Sequence, residues 1–107
     1  MKANQTKGNL DVLVLGILSA GPAHGYEVIA ALKERSGGEF DLPEGTVYPL
    51  LHRLESEGLL SSSWESSQGR RRRVYALTAA GEASLAAGRR NWERFSLGMN
   101  SVLGVRT

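Results

Sequence analysis

The chain contains no cysteine. That excludes disulfide staples, thiolate metal sites and cysteine nucleophiles, and it fits a reducing cytoplasm, the compartment expected here. Histidine is scarce too. His24 and His52 stand far apart, no serine, histidine and acid pattern accompanies them, and no metal-ligand spacing is present. A phosphate-cradling glycine loop is missing; GPAHGY, from Gly21 to Tyr26, reads as a turn. The expectation is a protein that is not an enzyme and has no cofactor or metal. Long hydrophobic runs are lacking as well. The longest, LDVLVLGILSAG from Leu10 to Gly21, contains Asp11 and falls short of the roughly 20 residues that a membrane span needs. Lys2 and Lys7 ahead of it imitate a signal peptide, but Asp11 argues against one, and cleavage would remove a segment the rest of the chain needs as core.

What is present is 107 residues, 41% of them hydrophobic, enough for one domain around one small core. The formal charge of +2 hides an uneven distribution, because Arg70, Arg71, Arg72 and Arg73 are consecutive. Without them nine basic residues face eleven acidic ones. A slightly acidic chain with one concentrated basic spot points to a phosphate-rich partner.

Apolar spacing predicts three short helices. Leu10, Leu13, Val14, Ile17 and Leu18 give the first, and Gly21-Pro22 ends it. The second runs from about His24 to Arg35, with Val28, Ile29 and Leu32 on one face. The third runs from about Glu44 to Glu57 behind Pro43, with Val47, Leu50, Leu51 and Leu54 on the core and Gly58 as its stop. The period then changes to two. Leu60 to Glu65, a turn at SSQG and Arg70 to Leu77 predict a two-stranded hairpin with arginines at its tip. Thr78 is a good N-cap for a long final helix. On it Leu85, Gly88, Trp92, Phe95, Met99 and Val102 fall near a 3.5-residue repeat, the mark of a seam between helices.

The fold expected is mainly α (α+β): a winged helix-turn-helix with a two-stranded wing and a long C-terminal dimerisation helix. Residues 1–9 are read as a flexible N-terminus, 10–77 as the DNA-binding domain and 78–104 as the dimerisation helix. In such a layout the third helix enters a DNA major groove. That suits an otherwise odd helix start, GTVYP. Gly45, Thr46, Tyr48, Pro49, His52 and Arg53 are left facing outward near the N-terminus, where free N–H groups and the helix dipole favour phosphate. Tyr48, His52 and Arg53 are the expected base readers. For Thr46 the alternative is a plain cap, for Tyr48 and His52 packing on the hairpin, and for the arginine run a merely solvated face. Strand alternation sends neighbouring arginines to opposite faces, so about two of the four reach a backbone. A rival reading is a winged-helix adaptor for other proteins without specific DNA binding.

The segments GYEVIAAL, EGTVYPLLHRLESEGLL and GRRRRVYALTAAG closely resemble the PadR family of bacterial transcriptional regulators, across about Leu10 to Gly104. The resemblance implies a homodimer paired through the C-terminal helix that represses a nearby gene; two recognition helices about one DNA turn apart then call for an inverted repeat in double-stranded DNA. It places Tyr26, Gly45, Thr46, Tyr48, Pro49 and Arg53 in the DNA-binding motif and the wing at Gly69 to Arg73. Two departures stand out: Pro43 where the family often has Ser, which leaves Asp41 as a candidate cap, and an unbroken RRRR where a proline is common. With a single C-terminal helix the chain resembles the short subgroup. Some members of it are similar to multidrug-binding regulators, in which a tryptophan lines a flat pocket for a planar hydrophobic effector. Trp92 matches that tryptophan; alternatively it is dimer core, with Gly88 making room for the partner's ring.

Overall fold

A computed structural model gives the fold and describes residues 5–106. Its elements run α1 (Gln5–Leu18), β1 (Ala23–His24), α2 (Gly25–Arg35), α3 (Glu44–Ser56), β2 (Leu60–Ser67), β3 (Arg70–Leu77) and α4 (Ala79–Leu103). Helix α1 starts at Gln5, ahead of the Leu10 that apolar spacing indicates. It sits at the centre, touching α2, α3 and β3 on one side and α4 on the other. This two-sided packing buries Leu15, which the one-stripe reading omits, together with Val14 and Leu18. Around them close Val28 and Leu32 of α2, Val47, Leu50, Leu51 and Leu54 of α3, Leu60, Tyr75 and Leu85.

The sheet has three strands, not two, in the order β1-β3-β2. The pair Ala23–His24, expected to be turn and helix start, lies antiparallel to β3 at Tyr75 and Val74. The hairpin pairs Leu60 with Leu77 and continues without a break to Ser67 opposite Arg70. Its loop is therefore only Gln68 and Gly69, both at positive φ (52° and 77°). This is the mirror-image turn whose twist matches the strands, and it is why glycine stands at the second position. The tight loop fixes the register that carries the arginines.

Helix α3 begins at Pro43 as N-cap with no side-chain cap, so Asp41 does not fill that place. Thr46 and Val47 donate their N–H groups to the Pro43 carbonyl instead. Thr78 caps α4 as its sequence predicts: its hydroxyl accepts from the Gly81 N–H at 3.0 Å and donates to the Gly58 carbonyl at 2.6 Å.

Two residues assigned to an inter-chain seam belong to the inside of this chain. Leu85 is buried in the core. Gly88 is pressed against α1, and a Cβ placed there would lie 2.5 Å from Val12 Cγ2. Gly88 thus makes room for α1 of its own chain, not for a partner's ring. Heptad spacing holds for any helix neighbour, and here the first turns of α4 find theirs in α1. Farther along, Trp92 (48% exposed), Phe95 (41%), Met99 (44%) and Val102 (86%) face outward.

Candidate nucleic-acid interface

With Val47, Leu50, Leu51 and Leu54 turned inward, the 3.6-residue period leaves Gly45, Pro49, His52 and Ser56 on the opposite face of α3. All four are exposed. Thr46 and Arg53 lie on one flank with Leu10 and Asp11 of α1. Tyr48 lies on the other flank, toward α2 and the wing. Pro49 has no N–H to give the Gly45 carbonyl one turn back, so that carbonyl lacks its usual donor four residues on. At the helix start the side chain of Glu44 adds a negative charge to the first turn.

Arg53, expected from its sequence position to read bases, is engaged within the chain. One guanidinium nitrogen donates to Asp11 Oδ1 at 2.6 Å and the other to Glu57 Oε2 at 3.1 Å. The hydrogen bond to Asp11 leads in holding its pKa above the usual arginine value. Arg53 is a tie from α3 to α1. Because both partners of the Asp11 pair are under a third exposed, it is worth more than an open surface pair. A double-mutant cycle with Asp11→Ala and Arg53→Ala is expected to give a coupling of about 1–2 kcal/mol in urea unfolding. Additive changes would show that the pair contributes nothing.

Across the outer face runs a concave groove of about 710 Å³, lined on one wall by Tyr26, Tyr48 and His52 and on the other by Trp64 and Arg70 to Arg73. Gly25 at the start of α2 gives Tyr48 its seat, since a Cβ there would collide with the phenol ring. Tyr26 meets Tyr48 edge-to-face, with centroids 6.2 Å apart and planes at 80°. Both hydroxyls have raised pKa values. For Tyr26 a hydrogen bond to Glu44 is the main cause; for Tyr48 burial leads, followed by the Glu44 charge. The Tyr26 hydroxyl is thus engaged with Glu44, while Tyr48 lines the groove beside it.

The four arginines divide by strand alternation, but not into two that are free and two that are turned away. Arg72 Nη1 donates to His24 Nε2 at 2.9 Å across β1. Arg73 donates through Nε to the Ser62 hydroxyl at 2.9 Å. Arg71 lies over the Trp64 ring, 4.6 Å from its centroid. Among the described residues Arg70, Arg71 and Arg72 have no carboxylate within ion-pair distance; Arg72 is engaged with His24, which leaves Arg70 and Arg71 as the less committed charges at the tip. Trp64 and His24 are parts of this wall that sequence reasoning missed. The only signal for Trp64 was its place in the alternating strand, and the cross-strand partner Arg73 completes it. At the other end of the molecule Val12, Leu13, Phe40 and Trp92 line an apolar recess of about 330 Å³ beside α4. No helix among the described residues is long and apolar enough to cross a membrane.

The same fold occurs in known proteins. The model of the transcriptional regulator PadR-like family matches residues 14–87. The transcriptional regulator Rv3488 of Mycobacterium tuberculosis is 45% identical over 72 residues, which are 67% of this chain and 64% of that protein. The chain thus spans less than two thirds of that relative's length. A PadR family transcription regulator from hypervirulent Clostridium difficile R20291 has a TM-score of 0.79 at 36% identity, over 88% of this chain and 97% of that one. A PadR family transcriptional regulator from Eggerthella lenta has a TM-score of 0.79 at 32% identity, over 94% and 86% of the two chains.

Proposed function

The chain belongs to the transcriptional regulator PadR-like family, and from that premise we propose that it is a cytoplasmic, dimeric repressor that reads an inverted repeat in double-stranded DNA and is released by a small planar hydrophobic effector. The observation that carries the DNA reading is the groove. The outer flank of the third helix, two tyrosines and four wing arginines share one concave face. Gly45, Pro49 and His52 meet base edges. Tyr26, Tyr48, Arg70 and Arg71 take phosphates. Thr46, on the flank toward α1, takes a phosphate at the edge of the helix. Arg72 and Arg73 hold the wing to the rest of the domain, and Arg53 orients the helix rather than reading from it.

Pairing through Trp92, Phe95, Met99 and Val102 covers the apolar stripe of α4 and sets two recognition helices about 34–36 Å apart, one turn of DNA. Trp92 has one edge on that stripe and one on the recess with Phe40, a size suited to a small ligand. An effector seated there that favours one angle between the halves by about 1–3 kcal/mol suffices to release DNA.

Fluorescence anisotropy of labelled duplex from upstream of the gene tests the reading, with random duplex as competitor and salt as the variable. Nanomolar binding that outlasts the competitor is the expected result. Binding with no salt dependence, or none, would instead favour a protein adaptor built on the same fold.

A further inference from the structure

We propose that Trp64 is a positioning residue for the wing: its indole holds the Arg71 guanidinium in the direction in which it meets a phosphate. The proposal rests on the reading of the wing as a phosphate-binding arm. Trp64 stands on β2 among serines and is 54% exposed, where an apolar side chain of that size has no core to fill. Its ring is covered instead by two cations. Arg71 lies 4.6 Å from the centroid and Arg73 5.1 Å, the geometry of a cation held by an aromatic face. Register explains the pairing, since Trp64 is directly opposite Arg73 and Arg71 is the next residue along on the same face.

Arg73 is fixed from behind. Its Nε donates to Ser62 Oγ at 2.9 Å, that hydroxyl donates to Glu55 Oε2 at 2.6 Å, and Arg73 Nη2 stands 3.9 Å from the same carboxylate. Glu55 is on α3. A continuous line therefore runs from the recognition helix through Ser62, Arg73 and Trp64 to Arg71. A long guanidinium side chain ordinarily loses rotamer freedom when it meets a phosphate, and stacking beforehand removes part of that loss. The line also sets the wing's cation at a fixed place relative to α3, so that the two meet one duplex together.

The test separates Trp64 from the charge it holds. Trp64→Thr keeps net charge and strand propensity, and is expected to weaken duplex binding roughly three- to five-fold. In an Arg71→Ala background the same substitution is expected to cost nothing further, and Trp64→Tyr, which keeps a ring, is expected to restore most of the loss. An equal loss in both backgrounds would mean that Trp64 only stabilises the hairpin, and would overturn the proposal. In the free native protein the Arg71 Nε–Hε resonance should show the upfield ring-current shift of a stacked group. Its absence would overturn the proposal even if Trp64→Thr failed to fold. If Arg71→Ala by itself left binding unchanged, the wing reading, and not the stacking, would be at fault.

Discussion

Trp92→Glu is expected to convert the proposed dimer into a folded monomer that sediments at 11.6 kDa and binds operator DNA roughly 1,000-fold more weakly. The size of the effect follows from linkage. Two half-sites bound by one dimer act at an effective concentration in the millimolar range, and uncoupling them removes a factor on the order of 100 to 10,000 without altering any contact to DNA. The fold is expected to survive because Trp92 is half exposed, on the stretch of α4 beyond Leu85, the last α4 residue in the core. A carboxylate at the centre of an apolar seam is desolvated with no partner, which opposes pairing strongly. Sedimentation velocity and a urea melt decide the matter together. A dimer that persists refutes the seam; a chain that no longer melts cooperatively places Trp92 in the core.

The second large effect lies at the wing tip. Replacing Arg70 and Arg71 together with Ala is expected to lower affinity for any duplex about 30-fold at 0.15 M salt and to flatten the slope of log K against log salt by about 2. Each phosphate contact releases close to one counterion, and among the described residues these two guanidiniums have neither the carboxylate that Arg73 has nor the histidine contact of Arg72. The loss should be the same for operator and random DNA, because phosphate contacts carry no sequence. Replacing Arg72 and Arg73 instead removes the same formal charge but also breaks the contacts to His24 and Ser62. A slope that responds equally to both pairs would mean that partners within the chain do not decide which arginines meet DNA.

Much of this architecture was readable because its determinants are local. The core faces of α2 and α3, the change of period at Leu60 and the cap at Thr78 each lie within a few residues of what they control. The misses share the opposite property. Strand β1 is two residues with no alternation to display, and it exists only because β3, some fifty positions later, offers an edge to Ala23 and His24. The Asp11 partner of Arg53 is 42 positions away, so helical spacing can pair Arg53 with Glu57 but cannot show the tie to α1. Leu85 and Gly88 keep the heptad rhythm of the outer seam, yet rhythm does not say whose helix lies beneath. Trp64 was visible as one member of an alternating strand; its two arginines became neighbours only once the two-residue loop had set the register.

The seat of α4 on Val12 turns that helix into a lever. A helix of 25 residues spans about 37 Å at 1.5 Å per residue. With its far end clamped in the proposed seam, a pivot of about 5° carries the Ala79 end, where the wing is rooted, through roughly 3 Å. Successive base pairs are stacked about 3.4 Å apart. In the proposed dimer such a tilt shifts one half of the molecule by nearly a full base step, the difference between meshing with the proposed second half-site and missing it.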